Sequence, residues 1–332
     1  MSARAFLLLT PALLTLLLLA IWLLPQDRSL RFHQAHELAV VKAGWIYDRT
    51  HFDPTPIDVV FVGTSHTVFG VDSAEIERAY EAMSHRPIHV VNFGLQHLGR
   101  DMQYLLGREA ILNKDVKLLV IEITPEEPRT LHPATFLLAD ATDLVRAPML
   151  VNVNYFSNLA RLPERQISLA AEMLAAKLTG SANEARLTGH RGPHWDDTYA
   201  EAGSSEDPAV KPEPRTRSHS EAELEAQRQH WLRLNGSRRR VPEPLQSLMT
   251  RPNRLYVREL VELAEERHIP VRFLFLPSYK QVPNATEARR LDRLGPTWKA
   301  PDVLKRTELW LDVNHLNYAG LRWRAGAVGL AR

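Results

Sequence analysis

Short, unbroken apolar runs alternate along this chain with segments of helical periodicity. The runs lie at residues 57–63, 88–94, 116–124 and 271–277. They are rich in β-branched residues and lack the two-fold alternation of a half-exposed strand, so they are typical of strands buried on both faces of a parallel sheet. The helical patterns between them lie at residues 72–83, 98–112 and 254–267. This order predicts right-handed βαβ units in an α/β fold with a doubly wound, mostly parallel sheet.

The N-terminal segment has a different pattern. Residues 5–24 contain no charged side chain, and as a helix they would cross a hydrocarbon core of roughly 30 Å. The run is longer than the core of a signal peptide and no small-x-small cleavage pattern follows it, although a cleaved signal peptide is the alternative. We therefore predict a single-pass anchor at residues 1–30 in a bacterial inner membrane, with the rest of the chain on the periplasmic or extracytoplasmic side.

The anchor leads into a predicted juxtamembrane helix and linker at residues 31–56, which Pro54 and Pro56 end. The main domain is then predicted at residues 57–330. Residues 155–178 have helical spacing, but residues 200–220 are rich in Pro, Ser and charge, with Val210 as their only large aliphatic side chain. Such a composition supplies no core of its own. We therefore expect a polar, partly disordered insertion at about residues 181–250, and a final helix after the last turn.

Composition excludes several functional classes. The 332 residues are 45% hydrophobic, enough for one large domain, and 41 basic residues nearly balance 39 acidic ones, which gives no electrostatic case for nucleic acid. The chain has no cysteine, so disulfides, thiolate metal sites and cysteine nucleophiles are excluded. Its 14 histidines form no His-Glu-x-x-His motif, and no Gly-rich phosphate loop follows the first strand. We predict no metal, no cofactor and no nucleic-acid partner.

Polar residues follow the predicted strands at the edge where α/β proteins form their active sites. Ser65 follows the first strand, and Asn92 and Gly94 end the second. A serine hydroxyl needs a neighbouring base, usually a histidine oriented by a carboxylate, to act as a nucleophile. Asp312 and His315 supply both groups from one late turn. The first amides of a helix after the serine would also face a developing oxyanion, because they lack partners within the helix.

A purely structural interpretation of the same residues is open at this stage. Ser65 or Thr67 is a suitable N-cap for the following helix, and Asp312 is a suitable cap for the last one. The glycines are suitable turn residues. Each pattern is short, so spacing alone leaves both interpretations standing.

The combination of three blocks resembles a known superfamily. The blocks are "VGTSHT" at residues 62–67, the Asn and Gly that end the second strand, and "DVNHLNYAG" at residues 312–320. Together they resemble the GDSL-like SGNH hydrolase superfamily, whose fold is flavodoxin-like. Within it they look most like the membrane-anchored periplasmic proteins of bacterial polysaccharide O-acetylation, and more distantly the acyl-transfer proteins of teichoic-acid D-alanylation. The resemblance covers roughly residues 57–124 and 254–325.

The resemblance implies a role for each matching position. Ser65 would be the nucleophile, His315 the general base and Asp312 the residue that orients the base. Gly94, or Gly99 if the loop is read one step longer, would give an oxyanion amide beside the Ser65 N–H.

One block departs from the superfamily pattern. Where the Gly-x-Asn-Asp of the third block is expected, the chain reads "IEITPEE" at residues 121–127, with Glu122 in no assigned role. Asn92 and Thr124 are both open as replacements for the missing oxyanion donor. A histidine directly after the serine, here His66, resembles the first block of the membrane-anchored relatives. This resemblance favours acyl transfer over lipase activity.

The leading hypothesis is a serine-dependent acyl-ester transferase or esterase that acts on a cell-envelope or exported polysaccharide. Its partners would be that polysaccharide or an acylated carrier, and an integral-membrane acyltransferase. The alternative is a non-catalytic assembly or polysaccharide-binding protein of the same fold, which partners a membrane acyltransferase. A secreted lipase is a third hypothesis. The sequence shows no obvious apolar lid, which argues against it.

Overall fold

The computed structural model describes residues 3–25, 27–35, 40–123, 131–150, 152–179, 193, 217–236, 242–281, 290–299, 301–317 and 319–320. The strands are β1 (Val59–Val62), β2 (Val90–Asn92), β3 (Leu118–Ile123), β4 (Val271–Phe275) and β5 (Thr297–Trp298). The helices before the third strand are α1 (Ala3–Trp22), α2 (Arg28–His33), α3 (Ala43–His51), α4 (Ser65–Gly70), α5 (Ser73–Ser84) and α6 (Arg100–Asn113). Those after it are α7 (Thr135–Leu138), α8 (Ala141–Arg146), α9 (Tyr155–Thr179), α10 (Glu221–Gly236), α11 (Glu243–Met249) and α12 (Arg251–Glu266), followed by 3-10 turns at Pro301–Lys305 and Thr307–Leu309.

The five strands form one parallel sheet in the order β2-β1-β3-β4-β5. Val60 pairs with Val91 on one side and with Leu119 on the other, so the chain changes direction across the sheet between β1 and β3. In this strand order the crevice at the carboxyl ends of β1 and β3 is where doubly wound folds bind ligands. All four predicted strands are present within shorter bounds, and the predicted α/β fold with a parallel sheet is confirmed. The two-residue strand β5 was not predicted.

Both faces of the sheet are buried, which explains the unbroken apolar runs. Val60 and Val62 face one core cluster, whereas Val59 and Phe61 face the other. Because successive side chains of a strand point to opposite faces, only a sheet covered on both sides needs apolar residues at every position. Helix α5 covers one face through Ile76.

Helices α6 and α12 cover the other face and pack closely against each other. A Cβ atom added to Gly107 would lie 2.8 Å from Cδ1 of Leu260, so a larger residue at position 107 would require the leucine side chain to shift. Leu260 is 1% exposed and belongs to the larger core cluster. Three predicted helices, at residues 72–83, 98–112 and 254–267, correspond to α5, α6 and α12.

Polar contacts to buried groups connect the N-terminal region to α6 and to the sheet. Arg28 Nη2 and His51 Nε2 each lie 2.5 Å from a carboxylate oxygen of Glu109 on α6. The buried Lys42 donates from Nζ to the backbone oxygen of Asn92 at 2.7 Å. Two helices, α2 and α3, stand where one juxtamembrane helix was predicted to begin residues 31–56, and residues 36–39 lie outside the described part. Among the residues that the structure describes, we find no helix with both the length and the apolar character to cross a membrane.

Part of the predicted insertion packs against the domain. Leu224 on α10 is fully buried in a small cluster with Tyr279 and Trp310. Leu224 is buried by apolar contacts from the C-terminal part of the chain, which are not visible in the local composition, whereas most other described side chains of α10 are exposed. Residues 200–216 of the polar stretch predicted at 200–220, and the part of the predicted final helix beyond residue 320, lie outside the described residues.

We predict that Leu224→Ala lowers the free energy of unfolding by about 2–5 kcal/mol, as is usual for removing a buried leucine side chain. The matched control is Leu234→Ala on the same helix, where the side chain is 66% exposed and the loss should stay below about 0.5 kcal/mol. Chemical denaturation of both variants measures the difference. Equal, small effects would show that α10 does not pack in solution as described here.

Candidate active site

Ser65 is the first residue of α4, which is separated from β1 by Gly63 and Thr64. Thr64 has an extended backbone and caps the helix, because its Oγ1 accepts a hydrogen bond from the His66 N–H at 3.2 Å. The cap of this helix is therefore Thr64 and neither Ser65 nor Thr67. This leaves the Ser65 hydroxyl available for another partner.

That partner is His315, which lies 250 residues away in the sequence. His315 Nε2 is 3.0 Å from Ser65 Oγ, and His315 Nδ1 is 2.8 Å from Asp312 Oδ2. A carboxylate only accepts hydrogen bonds, so Nδ1 carries the proton and Nε2 of the neutral ring accepts from the serine hydroxyl. The three residues named from the sequence therefore meet with the geometry of a serine nucleophile, a base and the carboxylate that orients the base.

The turn that holds Asp312 and His315 is closed by its own hydrogen bonds. Asp312 Oδ1 accepts from the backbone N–H groups of Asn314 at 2.6 Å and His315 at 2.9 Å. Burial raises the pKa of Asp312, but the charge of His315 and these hydrogen bonds outweigh it and hold the pKa below its ordinary value. Asp312 is therefore ionised at neutral pH, as the orienting carboxylate must be.

Two neighbouring elements position this turn. The Tyr279 N–H, just after β4, donates to the Val313 oxygen at 2.7 Å, and Gln227 on α10 accepts from the Val313 N–H at 3.0 Å. The ring of Phe69 packs against His315 with centroids 4.7 Å apart. Gln227 was not among the predicted site residues, because nothing in the polar sequence around it indicates which distant loop it contacts.

The buried carboxylate of Glu122 lies beneath the serine loop. It accepts hydrogen bonds from the Thr64 N–H at 2.6 Å, from the Thr64 hydroxyl at 2.9 Å, and from the Thr67 N–H at 3.2 Å and hydroxyl at 2.5 Å. A Cβ atom on Gly63 would lie 2.4 Å from Glu122 Oε2, so the strand end needs glycine to admit the carboxylate. The only feature of the sequence that pointed to this role of Glu122 was an acidic residue inside an apolar strand, "LLVIEI".

Asn92 and Gly94 brace α4 and do not present free donors. The Asn92 amide donates to the backbone oxygens of Thr67 at 2.8 Å and Val71 at 2.9 Å, and its Oδ1 accepts from the Gly94 N–H at 2.9 Å. A side chain on Gly94 would meet Thr67 and the backbone of α4. Their polar groups are paired with each other and with α4 in this structure, and the oxyanion role expected of these two residues stays a prediction.

Three other groups were expected to contribute to the oxyanion site: Gly99, Thr124 and the Ser65 N–H. Gly99 precedes α6 and packs against His132, since a Cβ atom there would lie 2.5 Å from His132 Cβ. Thr124 lies outside the described residues. The Ser65 N–H has no hydrogen-bond acceptor among the parts of the chain that the structure describes.

His66 lies beside the triad as a neutral ring. Its Nδ1 donates to the backbone oxygen of Leu276, just after β4, at 2.9 Å, and its ring centroid is 5.7 Å from that of His315. Burial lowers the pKa of His66, and the charge of His315 lowers it further, against an opposing effect of Glu122. A neutral His66 does not repel the positive charge that His315 acquires when it takes a proton.

Metal chemistry has no evident donor set here. Within the described ranges, no group of three or more His, Asp or Glu side chains is arranged to hold a metal ion. The expectation that the protein uses no metal and no cofactor stays a prediction.

The fold and the site define a class: a mixed α/β protein with a parallel five-stranded sheet and a Ser-His-Asp arrangement at its carboxyl edge. Comparison with known proteins does not narrow this class, since neither a protein-family model nor a curated protein matches the chain.

We predict that Glu122→Gln lowers the free energy of unfolding by about 1–3 kcal/mol. The amide nitrogen of glutamine would face buried N–H and O–H donors, and it cannot accept hydrogen bonds from them. The same change should slow the labelling of Ser65 by a fluorophosphonate, since Glu122 fixes the serine loop. Glu262→Gln on the exposed face of α12 is the matched control. Unchanged stability and unchanged labelling in Glu122→Gln would contradict this role of the carboxylate.

We predict a pH-dependent difference for His66→Asn, which keeps a donor for the Leu276 oxygen. Because the pKa of His66 is lower in the folded state, the unfolded chain binds more protons below about pH 6.5, and acidification through this group favours unfolding. Between about pH 7 and pH 5 the wild type should therefore lose more thermal stability than His66→Asn. The exposed His268→Asn is the control, and it should follow the wild type. Parallel losses in all three proteins would show that His66 titrates normally.

Proposed function

We propose that this protein is a serine-dependent acyl-ester transferase or esterase of the SGNH hydrolase type, acting on a cell-envelope or exported polysaccharide. The observation that carries the proposal is the 3.0 Å contact between Ser65 Oγ and His315 Nε2, with Asp312 on the opposite nitrogen. The flavodoxin-like strand order and the blocks around Ser65 and His315 support the same superfamily.

In the first half of the proposed reaction, Ser65 takes the acyl group. His315 Nε2 removes the hydroxyl proton while Ser65 Oγ attacks the acyl carbonyl carbon, and the ionised Asp312 stabilises the resulting imidazolium. The tetrahedral intermediate then expels the alcohol oxygen, which receives the proton from His315. The products of this half are acyl-Ser65 and the free alcohol. The Ser65 N–H is the donor that the superfamily resemblance assigns to the oxyanion.

In the second half, a sugar hydroxyl or water accepts the acyl group. The attacking oxygen loses its proton to His315 Nε2, the ester bond to Ser65 breaks, and the proton returns to Ser65 Oγ. A sugar hydroxyl gives net transfer, and water gives hydrolysis. The resemblance of "VGTSHT" to membrane-anchored relatives is what favours the transferase branch.

The proposal includes a bacterial inner-membrane location, with residues 1–30 as anchor and the α/β domain on the periplasmic or extracytoplasmic side. Its support is the uncharged sequence of residues 5–24 and the exposure of leucines on α1, such as Leu13, Leu16 and Leu17, which are 57–63% exposed. An integral-membrane acyltransferase is the partner that such a location would provide.

A second candidate function follows from the shortage of oxyanion donors. Because the Gly94 N–H and the Asn92 amide are already hydrogen-bonded, the described site offers fewer donors than the superfamily pattern expects, and each lost donor costs roughly 10²–10³ in rate. This observation favours a non-catalytic assembly protein that binds the polysaccharide or the membrane acyltransferase. That function predicts wild-type polymer modification in cells that carry Ser65→Ala.

We predict that the purified protein releases p-nitrophenol from p-nitrophenyl acetate, and that Ser65→Ala abolishes this release. Asp312→Asn should lower the rate by roughly 10³–10⁴, because the base then loses its orienting charge. Ser157→Ala, an exposed serine on α9, is the matched control and should hydrolyse at the wild-type rate. If wild type and Ser65→Ala are equally inactive, the catalytic proposal is wrong and the assembly function takes its place.

A further inference from the structure

Helix α9 carries apolar side chains on two separate faces. Leu162 and Leu169 are buried and form the face that packs on the domain. A second set of apolar residues recurs at positions 156, 160, 163, 167, 171, 174 and 178. At 3.6 residues per turn these positions lie within an arc of about 80°, beside the buried face and separate from it.

The second set is exposed, and we name it the α9 stripe. Its large members are 49–79% exposed: Phe156, Ile167, Leu174 and Leu178. Its other members are small: Ala160, Pro163 and Ala171. The polar side chains of the helix, such as Arg161 and Ser168, lie on a third face. The helix therefore has a buried, an exposed apolar and an exposed polar side.

The α9 stripe is too long to be scattered surface hydrophobicity. From residue 156 to residue 178 it runs for about 33 Å along the helix. The loop before α9 extends it, since Met149, Leu150 and Val153 are 53–79% exposed. Single exposed apolar residues are ordinary on protein surfaces, whereas a continuous apolar surface of this length marks an interaction site.

The neighbouring helix α1 indicates what covers the stripe. Helix α1 packs against α9, and residues 9–20 of α1 are all exposed and uncharged. A run of this length makes about three turns, so its apolar side chains point in every direction around the helix. A protein partner covers one side of such a helix, whereas the hydrocarbon of a bilayer covers all of them. The same bilayer then lies next to α9.

Polar contacts on the other sides of α9 fix its rotation about its own axis. The side-chain amide of Gln34, just after α2, donates to the Glu172 carboxylate. Arg165 Nη1 donates to the backbone oxygens of Phe136 and, at 3.0 Å, Ala139. These contacts bind α9 to α2 and α7, so the stripe is held facing away from the domain.

The charges of α9 favour a position at the membrane surface over one across the membrane. The helix has 25 residues, and its charged side chains occur along its whole length: Arg161, Glu164, Arg165, Glu172 and Lys177. A helix that combines an apolar stripe with a charged face lies in the plane of the interface, with the stripe in the boundary of headgroups and acyl chains and the charges in water.

We propose that the α9 stripe lies in the interface of a lipid bilayer, beside α1. This placement rests on the inner-membrane location proposed above and adds a second membrane contact to it. A single membrane-spanning helix leaves the attached domain able to tilt and rotate. A second contact through α9 holds the domain, and with it the carboxyl edge that carries Ser65, in one orientation to the membrane.

Labelling of single cysteines tests this placement directly, because the chain has no cysteine of its own. Ile167→Cys and, in a separate protein, Leu174→Cys place a fluorescent label on the stripe. Ser168→Cys places the same label on the polar face and is the matched control. All three side chains are exposed, so the changes should not impair folding. Each full-length protein is reconstituted alone in vesicles of phosphatidylethanolamine and phosphatidylglycerol.

A nitroxide on the lipid acyl chains should quench the labels at positions 167 and 174 at least about twofold more strongly than the label at position 168. Iodide in the water should quench the three labels in the opposite order. Equal iodide quenching at all three positions would show that water covers the stripe and would overturn the proposal. Protection of positions 167 and 174 from both quenchers would show that a second copy of the chain covers the stripe, which would overturn the proposal as well.

A label on α1, introduced with Leu13→Cys, separates this proposal from the proposed anchor. Lipid quenching at position 13, with iodide quenching at positions 167 and 174, would leave the anchor standing and refute the interfacial helix. Lipid quenching at positions 167 and 174, with iodide quenching at position 13, would support the interfacial helix and refute the anchor. Neither result depends on ester hydrolysis by Ser65.

Discussion

The carboxylate of Glu122 is the group on which the rest of the site depends. It lies at the end of β3, 2% exposed, and accepts four hydrogen bonds from Thr64 and Thr67 at the end of the neighbouring β1. A buried charge of this kind is tolerated only when its hydrogen bonds are satisfied. Those bonds fix where β1 ends and where α4 begins, and Ser65 lies between the two threonines. The glycine at position 63 allows the carboxylate to approach this closely.

The general base, His315, contacts this fixed loop from a turn near the other end of the chain. The Asp312–His315 turn contacts the domain through Tyr279 after β4 and Gln227 on α10. The sheet therefore brings together β1, β3 and β4, each of which contributes one part of the site at its carboxyl end. Asn92, after β2, contributes by holding α4 in place through Thr67 and Val71. The arrangement explains why residues 250 positions apart meet at 3.0 Å.

The sequence was sufficient for the features that depend on local pattern. Four strands were predicted because a sheet covered on both faces requires continuous apolar runs, and the three triad residues were predicted because their blocks resemble a superfamily. The features that depend on distant partners were not predictable in this way. The strand β5 has only two residues, which is too short to show an apolar pattern in the sequence. Leu224 is buried by contacts from the other end of the domain, and the amides of Asn92 and Gly94 are paired with each other and with α4. Glu122 was visible only as an acidic residue in an apolar run, and its role became clear from its four partners.

The central claim is that Ser65 forms a covalent acyl intermediate. Tandem mass spectrometry of the full-length protein, quenched by acid during reaction with p-nitrophenyl acetate, tests it most directly. The account predicts an acetyl group on the Ser65 hydroxyl. The acetylated fraction should be larger in Asp312→Asn if this change slows the loss of the acyl group from Ser65 more than its transfer to Ser65. Acetyl groups confined to lysines and to the N-terminus, with Ser65 unmodified throughout the reaction, would contradict the account.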